Sequence, residues 1–165
     1  MFTFFPTYAA DLGVPWVGVF AVAYSGAALG VRALASGLVD TVSRRAIIIP
    51  AMILQAGATL LLASLGVLAR ALGLSAGAFL GIAGFLAGGA HGLVYPALTA
   101  LVVDVTPPAR RGRVVGVFMA FILLGQAGGA AGFGYLANVV GYGPMFAILT
   151  LPLAGASALA LRLER

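Results

Sequence analysis

The sequence predicts an all-α integral membrane protein, a helical bundle of five complete transmembrane helices and one partial helix. Three observations carry this. Hydrophobic residues make up 62% of the chain and charged ones only 8%, whereas soluble domains are about 45–50% apolar and about a quarter charged. The apolar residues fall in long runs, and a run of about 20 is what a bilayer core demands. The cations, nine in number and all Arg, sit at the ends of those runs.

The elements follow in order. Residues 1–9 are apolar but too short to cross, and they read as the last half of a helix. Residues 16–36 form the first complete span, opened by Trp16, an interfacial anchor. The second span, 46–69, is the uninterrupted run "AIIIPAMILQAGATLLLASLGVLA". The third, 74–103, exceeds the length needed, which predicts a tilt or a bend at Pro96, where one backbone hydrogen bond is lost. Residues 114–137 and 139–161 complete the set. Between the last two, Gly141, Tyr142, Gly143 and Pro144 form a tight turn.

Arg distribution orients the bundle. The connection 37–45 carries Arg44 and Arg45, with Arg32 just before it; 104–113 carries Arg110, Arg111 and Arg113; the tail carries Arg162 and Arg165. The alternate connections carry only Arg70. The positive-inside rule therefore places the Arg-rich turns and the C-terminus in the cytoplasm of a multi-pass cell-membrane protein. The use of Arg without Lys points to a GC-rich bacterial genome. The start, "MFTFFPTYAADLG", lacks the basic region of a signal peptide.

Small residues supply the packing. Gly77, Gly81, Gly84, Gly88 and Gly92 recur at spacings of three and four, and Gly125, Gly128, Gly129 and Gly132 form a second stripe; Gly26 and Gly30 form a third. Helices associate in lipid largely through close approach, which small residues permit. A packing surface and a sliding surface ask for the same residues.

Several functions are excluded by residue content. There is no Cys and one His, so no metal site and no thiol chemistry is expected. No nucleotide-binding loop is present and no nucleophile–base pair, so neither an ATP-driven pump nor an enzyme is expected, and no cofactor. The formal charge of +5 marks span ends and forms no basic face for nucleic acid.

His91 is the sharpest functional candidate, because an ionisable group well inside a span is functional by default. Tyr95, four residues on, shares its face. Tyr8, Tyr24 and Gln126 are further cavity candidates, with Gln55 and Thr99 also polar within spans. Each has a plainer reading as an interhelical hydrogen-bonding group, which contributes about 0.6 kcal/mol in such bundles.

Two patterns carry a family likeness. Arg32, Gly37, Leu38, Asp40, Arg44 and Arg45 resemble the signature hairpin of the major facilitator superfamily (MFS). The run from "HGLVYPALTALVVDVTPPARRGRVVGVF" to Phe146 looks like helices 10 and 11 of its bacterial drug- and sugar-efflux permeases. The resemblance implies half of an MFS fold, the C-terminal six helices with the first one truncated. It implies alternating-access transport of a small-molecule substrate, ion-gradient-driven efflux, and a missing N-terminal half or second copy as partner within the lipid bilayer. It also implies that Arg32, Asp40, Arg44, Arg45, Asp104, Arg110 and Arg111 form a cytoplasmic gate. The plainer reading of those charges is a solvated, topology-setting turn. The alternative for the whole chain is a helical bundle that retains the fold without transport.

Overall fold

Serine, proline and glycine decide where the helices begin and end. The computed structural model describes residues 3–35, 42–73 and 75–162, and among these every regular element is helical. They are α1 (Phe5–Asp11), α2 (Gly18–Ala35), α3 (Arg44–Leu72), α4 (Ala76–Asp104), a 3₁₀ turn (Pro108–Arg110), α5 (Arg111–Val140) and α6 (Tyr142–Arg162). Ser43 and Ser75 cap α3 and α4, each hydroxyl accepting from the backbone N–H three residues on at 3.3 Å. Such a cap satisfies one of the donors that a helix start leaves unpaired. Gly73 ends α3 with φ +62°, a left-handed conformation open to glycine at no steric cost.

The fold is an all-helical bundle of apolar helices. Among the described residues three helical stretches are long and apolar enough to cross a membrane, Arg44–Leu72, Ala76–Asp104 and Pro108–Val140, beside the shorter apolar helices Gly18–Leu34 and Tyr142–Ala158. At 1.5 Å per residue, the 29 residues of α3 reach about 44 Å, more than the ~30 Å hydrocarbon core. The excess is accommodated by tilt or by reaching into the headgroups. Helix α4 runs through Pro96 as one element; the carbonyl this proline leaves without its i+4 donor belongs to Gly92. The break between α5 and α6 falls at Gly141 alone, φ +85°, slightly later than the boundary at 138 read from apolar run length; Tyr142, Gly143 and Pro144, read as part of a turn, are already the first residues of α6.

Packing is closest between α2 and α4. A Cβ on Gly84 would stand 2.5 Å from the carbonyl oxygen of Phe20, and one on Gly92 would stand 3.0 Å from that of Ala28. Gly88 meets the Tyr24 carbonyl more tightly still. The 84–88–92 spacing thus lays backbone on backbone, where dispersion summed over many close atom pairs replaces the hydrophobic drive that lipid removes. Gly125, Gly128, Gly129 and Gly132 differ: a Cβ at any of them meets nothing within 4 Å. Their stripe packs against no helix among the described residues, because α5 is held mainly at its two ends.

The main core sits at the end of the bundle where Gly73 and Gly141 turn the chain. Phe20, Leu62, Leu65, Leu80, Met145 and Phe146 are fully buried there, and the Phe5 ring stacks on Phe20 at 4.1 Å between centroids. A smaller cluster of Ile47, Ile48 and Ala97 closes α3 on α4 at the opposite end. Hydroxyls inside the spans satisfy themselves locally: Thr59, Thr99, Thr150 and Ser157 each donate to the carbonyl four residues back. That is the cheapest solution for a polar group inside an apolar bundle.

Candidate functional site: a polar cavity in the bundle

Between the core and the opposite end lies a cavity of about 460 Å³. Every long helix lends it at least one residue: Tyr24 from α2, Gln55 from α3, His91 from α4, Gln126 and Phe133 from α5, Leu149 from α6. Thr3 and Phe4, just ahead of α1, complete the wall. The tight α2–α4 contact puts Tyr24 beside His91, with ring centroids 6.0 Å apart and planes at 46°. Gly88 is the reason the two can sit so near, since it lets the backbone of Tyr24 rest directly on α4.

Aromatic rings continue in both directions. Phe20 stacks on Tyr24 at 6.2 Å, and His91 stacks on Tyr95 at 6.2 Å with an interplanar angle of 18°. The Tyr95 hydroxyl donates to Sδ of Met119 on α5 at 2.9 Å. A column of rings therefore runs from the buried core, past the cavity wall, to a contact that ties α4 to α5. His91 and Gln126 have no hydrogen-bond partner among the described residues, and both side chains are exposed. Their donors and acceptors are available to whatever fills the cavity. Gly125 and Gly129 line the same wall, so part of the second glycine stripe borders open space.

The five cavity candidates separate. Tyr24, His91 and Gln126 line the cavity, and Tyr95 supports His91 from behind. Tyr8 does not line it. Its ring is buried in the core, 5.8 Å from Tyr142 and 5.7 Å from Phe146, because Phe5, Tyr8 and Ala9 share the inward face of the short α1. Thr3, Phe4 and Phe133 are lining residues that no sequence signal singled out; Phe4 and Phe133 read only as apolar filling.

At the other end the charged residues meet in part. Arg44, the first residue of α3, donates from Nε to Oδ2 of Asp104, the last residue of α4, at 3.1 Å. The Arg111 Nε donates to the backbone carbonyl of Thr106 at 3.3 Å, and the Thr106 hydroxyl donates to that of Val102 at 2.5 Å, pinning the α4–α5 connection. Arg45 and Arg110 are exposed. Arg32 lies in the last turn of α2. Asp40, Gly37 and Leu38 lie outside the described residues. No group of three or more metal-ligating side chains occurs among the described residues.

Long apolar helices packed as a bundle around a cavity that carries a few polar groups define a class, the multi-pass membrane proteins. The family model of the Major Facilitator Superfamily matches residues 1–165, and the chain belongs to that superfamily. Its members are membrane secondary transporters of small molecules and not enzymes, which does not favour the non-transporting alternative. No curated protein and no solved structure matches the chain.

Proposed function

We propose that the chain forms the C-terminal six-helix half of an alternating-access permease of the bacterial cell membrane, with its C-terminus cytoplasmic, and that it exports a small molecule at the expense of an ion gradient. The cavity is the observation that supports this best: Tyr24, His91 and Gln126 come from three different helices and converge on it. In secondary transporters the substrate sits near the bilayer midplane between two repeats that rock against each other. One half gives one wall, so the partner is an N-terminal six-helix half or a second copy of this chain. The open face of α5 is where such a partner fits. Asp104 with Arg44, joined by Asp40 and the remaining Arg side chains, forms the cytoplasmic gate in this reading; the ion pair at 3.1 Å supports it.

The test is transport by inverted membrane vesicles carrying the chain either with a six-helix N-terminal half encoded ahead of it or, where none is encoded, with a second copy of itself. A mass-spectrometric panel of small solutes is followed with and without an imposed proton gradient. Gradient-dependent accumulation that His91→Ala removes supports the proposal. A chain that moves no solute of the panel under any gradient, while reaching the membrane in native amount, overturns it.

A further inference from the structure

The wall of the cavity has a definite chemical bias. The chain has four acidic residues, and the sequence places them at 11, 40, 104 and 164, in connections or at span ends. Asp11 and Asp104, the two acids among the described residues, do not line the cavity. What the cavity does offer is two side-chain amides, Gln55 and Gln126, an imidazole, and the rings of Tyr24 and Phe133. An organic cation would find no carboxylate among the described residues of this wall, and burying an unpaired charge is costly. Aromatic faces can hold a cation without a carboxylate. Here one face of the His91 ring is taken up by Tyr95.

We infer that the cavity selects a ring-bearing, hydrogen-bonding solute that carries no positive charge, with His91 and Gln126 as the specificity-determining residues. The ring lies against the aromatic side of the wall, where Tyr24 and Phe133 supply apolar area. Hydroxyl or carbonyl groups on the solute meet the Gln126 amide and the His91 imidazole, neither of which has a hydrogen-bond partner among the described residues. Amides and a neutral imidazole both donate and accept, so they suit a polyfunctional neutral solute better than a point charge. This inference rests on the cavity being the transport site and names the class of solute that the site takes.

Saturation-transfer NMR on the full chain in nanodiscs of uncharged lipid tests it, with phenyl β-glucoside as the neutral probe and phenyltrimethylammonium as the cationic one, each corrected for empty nanodiscs. The glucoside signal should exceed the ammonium signal by about tenfold, the scale expected when one ligand buries an unpaired charge and the other does not. Gln126→Glu, nearly the same shape, places a carboxylate in the wall and should raise the ammonium signal above the glucoside signal, a gain that misfolding cannot produce. His91→Leu should lower the glucoside signal and leave the ammonium signal at background. Equal signals for the two probes, no glucoside signal above empty discs, or no response of the ammonium probe to Gln126→Glu overturns the inference. Because binding is read without transport, transport of cations by the assembled permease would overturn this inference alone. Absence of all transport with selective binding intact would overturn the transport reading alone.

Discussion

Arg44 and Asp104 tie the first residue of α3 to the last residue of α4, Nε donating to Oδ2 at 3.1 Å across 60 residues of sequence. The side chains are 24% and 52% exposed, so the pair sits where water screens it. Its contribution to stability is then about 0–1 kcal/mol, and any larger effect belongs to gating. Asp104→Asn is expected to leave the thermal unfolding midpoint nearly unchanged in detergent. It should nonetheless raise the labelling rate of a cysteine placed in the cavity from the cytoplasmic side of assembled permease. The double exchange Arg44→Asp with Asp104→Arg should restore the slower rate. A loss of several degrees in Asp104→Asn would show instead that the pair is structural.

Gly88 and Tyr24 predict a steep dependence on one methyl group. A Cβ at 88 runs into the backbone of Tyr24, and backbone cannot swing aside as a side chain can. Gly88→Ala is expected to destabilise by about 1–3 kcal/mol, the range for forced overpacking, and to part Tyr24 from His91. Gly84→Ala, at 2.5 Å from the Phe20 carbonyl, should behave alike. Gly125→Ala and Gly128→Ala meet nothing and should be neutral or gain up to about 1 kcal/mol of helix propensity. Unfolding midpoints of the four variants in one detergent decide the matter; equal midpoints would mean that α2 and α4 do not approach as closely as described.

These glycines also show how far the sequence could be read. Composition and run length defined an all-helical membrane bundle, because a continuous apolar run of about 20 residues spans lipid as a helix, whereas a barrel strand would alternate over about ten. The spacing of Gly84, Gly88 and Gly92 marked a close-packed face, and α2 lies on it. Equal spacing at 125–132 marked a face of the same kind that no described helix covers, since periodicity specifies a surface and not its partner. His91 and Tyr95 were legible as a pair, being one turn apart on one helix. Tyr24 and Gln126 were candidates by polarity alone; that they and not Tyr8 border one cavity with His91 depends on how three helices pack. Tyr8 was misleading for a related reason: a phenol in a span suggests a cavity, yet its ring has enough apolar area to fill a core beside Phe146.

Topology is open to a direct check, because the chain contains no cysteine and any introduced thiol is unique. Trp16 is 79% exposed ahead of α2, and Gly112 stands at the start of α5 with open space around its Cα. In intact cells a membrane-impermeant maleimide should label Trp16→Cys and spare Gly112→Cys; after permeabilisation it should label both. The expectation follows from the Arg content of 104–113, which the positive-inside rule assigns to the cytoplasm. Labelling of Gly112→Cys in intact cells would invert the bundle and move the Arg44–Asp104 pair to the outer face.

The cavity predicts that exposure alone will not govern reactivity. Phe85 on α4 is 61% exposed, and Gln126 on α5 is exposed as well, but only Gln126 borders the cavity. A thiol reacts as its thiolate, which needs water; in hydrocarbon it stays protonated and a charged reagent is excluded. Gln126→Cys and Gly129→Cys should therefore react with a charged maleimide in nanodiscs, whereas Phe85→Cys, facing lipid, should not. Leu62→Cys, fully buried in the core, should be silent until the protein unfolds. Phenyl β-glucoside should slow the reaction at Gln126→Cys and Gly129→Cys together, because one occupant covers both positions. Reaction at Phe85→Cys as fast as at Gln126→Cys would mean that the wall of Tyr24, His91 and Gln126 is no wetter than the lipid-facing surface, and the cavity would lose its claim to a solute.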